Sequence, residues 1–314
     1  MTAGSKSNRR SVNGILLLDK PSGGTSNHAL QRAKRMFNAR KAGHTGSLDP
    51  LASGMLPLCF GEATKVSGFL LDSDKSYRVT ARLGQKTDSA DADGEVIETA
   101  PVPELSEARV RAVLESFLGE GEQIPPMYSA LKVNGRRLYE LARKGEQIER
   151  AARRIVIHEI SLVSLEDERM TCDVRCSKGT YIRSLVEDVA EKLGTLAHVE
   201  VLRRTGVGGF GGATMLTFEE LEAMEESGNL DDALLPVDSA LEDWPRVSLD
   251  EAGVERLFQG QKVPSPDPEI RGKLRVYGPE GNFLGLADAE IDGNLVPQRL
   301  FPGLRTNTGQ FEAK

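Results

Sequence analysis

The stretch from Gly43 to Pro57, GHTGSLDPLASGMLP, combines turn-forming glycines with polar side chains at short spacing. Glycine lets the backbone turn sharply or come close to a ligand. Asp49 is the only acid between Lys20 and Glu62. Pro50 stiffens the loop and disfavours helical geometry at Asp49, so a single carboxylate is presented from a rigid backbone. Because Asp-Pro and glycine-rich runs also form ordinary turns, the loop by itself fits both a turn and an active site.

The segments around this loop alternate between strand and helix patterns. Gly14 to Leu18 predicts a buried strand, and a helix with Ser26 or Asn27 as its cap is expected to follow. Ser76 to Leu83 alternates between apolar and polar residues, which predicts a strand with Tyr77 on its inward side. A core tyrosine is the more common meaning of such a position.

Further along the chain, a strand hairpin precedes a helix that carries polar side chains at its start. Ile155 to Leu165 and Met170 to Ser177 predict the two strands of the hairpin. Thr180 is expected to cap the helix that follows. Tyr181 and Arg183 bracket the first buried position of that helix, so we expect both near its first turn.

The character of the sequence changes near Val247. A short helix is predicted over Asp250 to Phe258, followed by short strands between glycine, proline and asparagine turns. We therefore expect a small β-rich C-terminal domain over 246–314. Residues 12–245 are expected to form the larger domain, and residues 1–11 a basic disordered tail.

The net charge of −7 hides an uneven distribution. Residues 1–41 carry nine Lys or Arg against one acid, and residues 132–154 carry eight against three. Residues 217–255 hold thirteen acids against Arg246 alone. Attraction of phosphate depends on the local field, within a Debye length of ~8 Å at physiological salt. Two basic segments therefore favour RNA or DNA as a partner, although solvated helix faces also produce charge runs.

Residues 124–152 are interpreted as a basic insertion that carries aromatic side chains. Its PPMYSALKVNGRRLYELARKG core interleaves basic residues with Tyr128 and Tyr139. Such loops suit single-stranded RNA, whose splayed bases stack on aromatic rings. We expect contacts to the RNA backbone from four of its basic side chains: Lys132, Arg136, Arg137 and Arg143.

Composition and motif spacing disfavour several other classes of protein. The apolar runs are far shorter than a membrane span, and the N-terminus lacks an apolar signal-peptide core, so we expect a cytoplasmic protein. Three cysteines without a CxxC pair predict reduced thiols. Gly206 to Gly211 matches GxGxxG, but the next helix pattern begins only at Thr217, which indicates a flexible loop. Thr87 to Gly94, TDSADADG, lacks EF-hand spacing and predicts an acidic turn.

Several motifs, taken together, resemble those of the TruB family of tRNA pseudouridine synthases. They are GILLLDKPSGGTSN, KAGHTGSLDPLASGMLPLCFGEATK, DKSYRVTARLG, PPMYSALKVNGRRLYELAR, CSKGTYIRSL and HVEVLRR, in the family's order from residue 12 to about residue 205. The resemblance implies an α+β fold with a mixed, largely antiparallel sheet of the pseudouridine-synthase type, flanked by helices. It also implies that residues 12–245 form the catalytic domain, with an RNA-binding insertion at 124–152. The C-terminal region over 246–314 resembles a PUA-type RNA-binding domain.

The same resemblance implies roles for individual residues. The family's nucleophilic Asp in the GHTG-x-LDP loop corresponds to Asp49. Arg183, from the family's Tyr-x-Arg pattern, is expected to pair with Asp49. Tyr77 is expected to stack on a flipped base and to receive or relay a proton. A further set is expected to contact or support the bound nucleotide: His44, Tyr181, Leu202 and Lys20.

The implied activity is the isomerisation of uridine 55 in the T-loop of tRNA to pseudouridine, without cofactor or metal. The expected partner is the tRNA T-stem-loop, and the expected state is a monomer. Whether Asp49 attacks C1′ of the sugar, attacks C6 of the base or removes the 2′ proton stays open. An additional tRNA-folding chaperone role is also expected. Two alternatives are a non-catalytic RNA-binding protein or RNA-folding chaperone, and the guide-RNA-dependent branch of the superfamily. A third, a carboxylate glycosidase, lacks an evident second catalytic acid.

Overall fold

The computed structural model describes residues 9–304, apart from Ala130, Asn134, Arg143 and Gln147, and it gives only the backbone of Lys132, Arg137 and Tyr139. The expected RNA contact Arg143 and most of the expected tail over residues 1–11 therefore lie outside the described residues. Within the described ranges, no helix is long and apolar enough to cross a membrane. The cysteines are buried free thiols, at Cys59, Cys172 and Cys176.

The strands form two main sheets and two short hairpins. The large sheet contains β1 (Gly14–Lys20), β2 (Ala42–His44), β3 (Ser53–Phe60), β4 (Lys75–Leu83), β7 (Gly119–Gln123), β10 (Arg153–Glu166), β11 (Arg169–Cys176) and β12 (Ala197–Val207). The hairpins are β5 (Gln85–Thr87) with β6 (Val96–Thr99), and β8 (Lys132–Val133) with β9 (Arg136–Arg137). The small sheet contains β13 (Arg246–Ser248), β14 (Val263–Pro264), β15 (Gly272–Tyr277), β16 (Phe283–Ala289) and β17 (Asn294–Leu300). The α-helices are α1 (Ser26–Met36), α2 (Ser67–Asp72), α3 (Glu107–Glu115), α4 (Leu138–Ala142), α5 (Ile182–Leu193), α6 (Phe218–Glu226) and α7 (Glu251–Phe258).

The large sheet has the order β1-β3-β12-β4-β11-β10-β7, and β2 also pairs with β3. Its strands pair antiparallel, except that β12 and β3 run parallel where they meet. The predicted mixed, largely antiparallel sheet with flanking helices is therefore confirmed. Because β4 lies in the middle, its Tyr77 pairs with Arg204 of β12 on one side and with Val174 of β11 on the other.

The strand β1 is buried on both faces, which explains its continuous apolar sequence. Leu16 and Leu18 pack into a large core together with α1, α3 and α5. Ile15 and Leu17 point the opposite way, into a second core. Successive side chains of a strand face opposite sides of the sheet, so an apolar residue is required at each of these positions.

The second core joins the small sheet to the large one, since it includes Tyr277 and Phe301. The Tyr277 hydroxyl donates a hydrogen bond to the carboxylate of Asp238, in the segment that connects the two sheets. Lys65 donates from Nζ to the carbonyl oxygen of Leu300, at 3.0 Å. The small β-rich C-terminal region is therefore present, and it is packed directly on the larger one.

Two of the expected helix caps are wrong. The cap of α1 is Thr25, which accepts a hydrogen bond from the N–H of His28. Helix α5 begins at Ile182 with Tyr181 at the cap position, and the Thr180 hydroxyl donates instead to the carbonyl oxygen of Ser177. By contrast, the glycine-rich GVGGFG run does not open an α-helix, as expected. Helix α6 begins after it, at the expected capping box of Thr217 and Glu220.

Candidate active site

The loop between β2 and β3 carries Asp49, and side chains from outside the loop hold it. Lys20, at the end of β1, is almost fully buried and donates from Nζ to the carbonyl oxygen of Ala52, at 2.7 Å. Burial is the main reason that the pKa of Lys20 is lowered, to about 8, although the charge of Asp49 acts in the opposite direction. Ser26 of α1 accepts a hydrogen bond at 2.7 Å from the N–H of Leu48. The carboxylate is thus fixed from two separate elements.

Strand β12 fixes the same loop from the opposite side. Gly54 has φ +95°, and a Cβ there would lie 2.2 Å from the carbonyl oxygen of Arg204, so only glycine fits. Arg204 is itself fully buried. Its Nε donates to the carbonyl oxygen of Met55 at 2.7 Å, and its Nη2 donates to that of Gly46 at 3.1 Å. Arg204 therefore ties β3 and the first part of the loop to β12.

Asp49 meets Arg183, the residue that the family resemblance paired with it. Arg183 Nη2 lies 2.9 Å from Asp49 Oδ2. The arginine side chain is 4% exposed and the aspartate side chain 41% exposed. Arg183 also donates to the carbonyl oxygens of Ser89, at 2.9 Å, and Tyr128, at 2.7 Å. A buried cation with several acceptors thus holds a carboxylate that still reaches solvent.

Asp91 belongs to the same cluster, and sequence reasoning did not identify it. Its Oδ2 lies 3.4 Å from Arg183 Nη1, and its side chain is buried. The acidic turn that carries it is fastened to β12, where Ala92 N–H donates to the carbonyl oxygen of Val199 at 2.9 Å. The spacing of the acids in TDSADADG does not reveal this contact with β12. In the part of the chain that the structure describes, no group of three His, Cys, Asp or Glu side chains is placed to hold a metal ion.

Burial and neighbouring charges together shift the pKa of Asp49. Burial raises the pKa of the Asp49 carboxyl and has the largest influence, while the Arg183 guanidinium lowers it. The charge of Asp91 raises it again, so the net effect is a pKa above the ordinary range of aspartate. Arg183 therefore counteracts part of the burial cost, which favours the ionised form at neutral pH.

Tyr77 and His44 both lie within electrostatic reach of Arg204. Burial raises the pKa of the Tyr77 hydroxyl, and Asp49 adds to this effect, whereas a hydrogen bond with Arg204 acts against it. Burial also lowers the pKa of His44, and Arg204 contributes. Both side chains are therefore neutral at pH 7. The His44 Nδ1 atom is buried and has no hydrogen-bond partner among the described residues.

Tyr181 and Leu202, the other two residues expected in the pocket, lie at the start of α5 and on β12. Tyr181 is half-buried and stands directly before the first turn of α5, two residues from Arg183. Leu202 is buried on β12 opposite Val79 of β4 and belongs to the large core. The electrostatic interactions described above connect Lys20, Tyr77 and Arg183 with Asp49. Leu202 is apolar and takes no part in these interactions.

Three of the four expected RNA contacts lie in a short hairpin, and the fourth, Arg143, is outside the described residues. Lys132 is in β8, and Arg136 and Arg137 are in β9. Arg136 Nη2 lies 3.3 Å from Glu146 Oε1, with both side chains about half exposed. A solvated pair of this kind is weak and leaves Arg136 available to another anion.

The acidic segment after β12 packs on part of the basic N-terminal region. Arg32 of α1 pairs with Glu222 of α6 at 2.6 Å, and its guanidinium lies 4.0 Å from the centre of the Phe218 ring. Arg10 pairs with Asp231 in the same way. Two of the basic residues that favoured an RNA partner are therefore already engaged by acids of the chain itself.

Family models match almost the whole described chain. Residues 34–182 match the TruB family pseudouridylate synthase N-terminal domain. Residues 183–242 match the tRNA pseudouridylate synthase B C-terminal domain, and residues 245–301 match the C-terminal domain of pseudouridine synthase II TruB.

Curated relatives match over nearly their full length. The tRNA pseudouridine synthase B of Ectopseudomonas mendocina (strain ymp) is 52% identical over 93% of this chain and 96% of its own. The protein of the same name from Nitrosococcus oceani is 51% identical over 92% of this chain and 94% of its own. Among solved structures, a chain of a Cbf5-Nop10-Gar1 complex superposes with a TM-score of 0.71 at 26% identity, over 91% of this chain and 84% of its own. The chain therefore belongs to the TruB family of pseudouridylate synthases, a family of isomerases.

Proposed function

We propose that the chain converts uridine 55 in the T-loop of tRNA to pseudouridine. One observation carries the proposal: a carboxylate that reaches solvent is paired at 2.9 Å with a buried arginine and lies within electrostatic reach of a neutral tyrosine. The relatives named tRNA pseudouridine synthase B support tRNA as the substrate. The T-stem-loop is the part of tRNA that presents this uridine.

The reaction rearranges bonds within one nucleotide. The N1–C1′ bond of uridine breaks, the base turns, a C5–C1′ bond forms, the hydrogen of C5 leaves as a proton, and N1 takes up a proton. The target nucleotide must first be extruded from the folded loop, at a cost of a few kcal/mol. Asp49 acts on this flipped nucleotide as an ionised carboxylate, whether by attack on C1′, by attack on C6 or by removal of the 2′ proton.

The neighbouring side chains support that carboxylate and the base. Arg183 stabilises the negative charge of Asp49 against burial. Tyr77 stacks on the flipped base, and its neutral hydroxyl, close to Asp49, can relay the proton. Lys20 holds the backbone of the catalytic loop. The other proposed contacts to the nucleotide are His44, Tyr181 and Leu202.

RNA binding is assigned to three parts of the chain. Residues 12–245 form the catalytic domain, the insertion at 124–152 closes over the stem-loop, and residues 246–314 form a PUA-like RNA-binding domain. Lys132, Arg136, Arg137 and Arg143 are the proposed backbone contacts. Because phosphate contacts release counterions, binding should weaken steeply between about 50 and 200 mM salt despite the net charge of −7. Filter binding across this range measures the slope, and a flat response would remove the basic segments from the account.

The deciding experiment measures tritium release from 5-tritiated uridine in a T-stem-loop RNA. The wild-type protein should release tritium without any added cofactor, and Asp49→Asn should lower the single-turnover rate at least about 10³-fold. Asp167→Asn is the matched control, because Asp167 is an exposed residue in the β10–β11 turn with φ 50°, a conformation that asparagine tolerates. It should retain the wild-type rate. Absence of release by the wild type, or equal release by Asp49→Asn, would disprove the function.

A second candidate is the guide-RNA-dependent branch of the superfamily, because the fold superposes on the Cbf5-Nop10-Gar1 structure. The two functions differ in what the reaction requires. A stand-alone synthase modifies a bare T-stem-loop, whereas a guide-dependent one needs further components. The identity of 52% to tRNA pseudouridine synthase B, against 26% to the Cbf5 complex chain, supports the stand-alone function. Turnover by the isolated chain would exclude the second candidate.

A further inference from the structure

Gln123 stands where the insertion leaves the large sheet. It is the last residue of β7, and it pairs across the strands with Arg153, the first residue of β10, where the insertion returns. Its side chain is nonetheless turned inward, and the residue is only 5% exposed. A buried amide at a chain exit requires hydrogen-bond partners, since an unpaired one is costly.

The partners of this amide are the two backbone groups of Tyr181. Gln123 Nε2 donates to the Tyr181 carbonyl oxygen at 3.0 Å, and the Tyr181 N–H donates to Gln123 Oε1 at 2.7 Å. Tyr181 occupies the cap position of α5, where no side chain of the local segment forms a cap hydrogen bond. The amide of Gln123 therefore fixes from a distant strand the residue at which the helix begins.

The same end of the insertion has two further bonds to the first turn of α5. Ser184 donates from its hydroxyl to the carbonyl oxygen of Ile124 at 3.3 Å. Arg183 donates to that of Tyr128 at 2.7 Å while it pairs with Asp49. Residues 123–128 are thus bonded to the helical turn that holds the catalytic carboxylate.

We propose that Gln123 is a positioning residue for the isomerisation: its amide holds Tyr181 in the nucleotide pocket and sets the first turn of α5, and so Arg183, at the catalytic distance from Asp49. The inference rests on the proposed function. Gln123 itself does not touch the reacting atoms, so its loss should slow the chemical step and leave RNA affinity nearly unchanged.

The bonding pattern makes this role testable with glutamate. The pair with Tyr181 requires one donor and one acceptor on the same side-chain end, which glutamine supplies. A glutamate carboxylate accepts from the Tyr181 N–H but repels the Tyr181 carbonyl oxygen. Once protonated, a carboxylic acid supplies both groups again. Gln123→Glu should therefore regain activity relative to the wild type as the pH falls.

Other charged groups face position 123, so the activity of Gln123→Glu must be compared with that of the wild type as a ratio of rates at each pH. Glu120 and Glu122 of β7 and Asp188 of α5 line the adjoining cavity, and Arg153 lies across the strands. All four residues are present in both the wild type and Gln123→Glu. The ratio of the two rates at each pH therefore cancels the effects that are common to both proteins, including that of Asp49.

The experiment measures single-turnover tritium release and RNA affinity from pH 6 to pH 8. Gln123→Ala should slow release about tenfold to 10²-fold, the cost of a small misplacement, with the Kd changed less than about threefold. Ser184→Ala, which removes a bond to the insertion but leaves Tyr181 bonded, should slow release less than Gln123→Ala does. The rate ratio of Gln123→Glu to the wild type should rise at least about fivefold from pH 8 to pH 6, while that of the exposed Gln261→Glu stays flat.

The outcomes separate the two proposals. If the wild type releases no tritium, the proposed function fails and this inference falls with it. If the wild type is active but Gln123→Ala keeps its rate, or the Gln123→Glu ratio is flat with pH, only the role of Gln123 is overturned. An equal loss of rate and affinity in Gln123→Ala would also overturn it, because Gln123 would then act in binding.

Discussion

Two arginine–aspartate pairs of the molecule differ in their hydrogen bonding and in the burial of the arginine. Arg78 and Asp173 face each other on β4 and β11 and share two hydrogen bonds, at 2.8 and 2.7 Å. Arg183 and Asp49 share one contact, at 2.9 Å. The aspartates are almost equally exposed, 42% and 41%, whereas the arginines are 55% and 4% exposed. The burial of the arginine distinguishes the two pairs, and the more regular geometry belongs to the solvated one.

The difference shows what each pair contributes. A solvated pair gains little, because water screens it and competes for both groups. A buried guanidinium must be fully bonded, and Arg183 finds Asp91 and the carbonyl oxygens of Ser89 and Tyr128 besides Asp49. It is therefore held rigidly and presents a carboxylate to solvent in a fixed position. A rigid cation beside an accessible acid, rather than a short ion pair as such, distinguishes the pair in the proposed catalytic site.

The largest expected effect comes from removing each arginine in turn. Arg183→Gln leaves the buried carboxylate of Asp91 without its cationic partner, so the free energy of unfolding should fall by about 3 kcal/mol. The rate of tritium release should fall at least about 10³-fold, because the charge of Asp49 loses its stabilising partner.

Arg78→Gln is the matched control for this change. It should alter the free energy of unfolding by less than about 1 kcal/mol and leave the rate unchanged. Urea denaturation and single-turnover release measure both quantities. Similar losses in the two variants would mean that the burial of the arginine does not separate the pairs.

A smaller effect is expected when either of two tyrosine hydroxyls is removed. Tyr77→Phe should slow turnover about 10²-fold while RNA affinity stays nearly constant, since the ring can still stack but no longer relays a proton. Tyr277→Phe removes the hydroxyl that donates to Asp238 at the junction of the sheets. It should lower the stability of that junction and leave turnover intact. A loss of affinity in Tyr77→Phe proportional to the loss of rate would assign Tyr77 chiefly to binding.

The smallest effect concerns the outer pair by itself. A double-mutant cycle with Arg78→Gln and Asp173→Asn should give a coupling energy below about 1 kcal/mol. Urea denaturation of the four proteins measures it. A coupling energy of several kcal/mol would show that exposure of the arginine does not weaken the pair.

Short-range patterns in the sequence were sufficient for most of the elements and for the positions of two expected site residues. Alternation placed Tyr77 on the inward side of β4, and the helical period placed Arg183 in the first turn of α5. The pairing of Arg183 with Asp49 came from family resemblance, because nothing local connects a loop and a helix that lie more than 130 residues apart. The roles of these residues stay predictions until the variants are measured.

Contacts between distant segments account for what the sequence did not reveal. Ser26 was expected to cap its own helix, but the N–H of Leu48, 22 residues away, engages it instead. Asp91 is buried because its turn is bonded to Val199 of β12, a contact that no local pattern encodes. Arg32 was counted as available for RNA, yet Glu222 lies 190 residues along the chain and pairs with it. In each case the local residue type was informative and its partner was not predictable.

The pH dependence of the single-turnover rate tests most directly whether Arg183 keeps Asp49 ionised for catalysis. Because the pKa of Asp49 is raised, the rate should be lost as the pH falls through a midpoint above that of ordinary aspartate, and regained above it. Arg183 lowers this pKa and Asp91 raises it, so Arg183→Gln should move the midpoint to higher pH and Asp91→Asn should move it to lower pH. Opposite displacements in the two variants are the predicted result. Midpoints that coincide with the wild type in both variants would contradict the account.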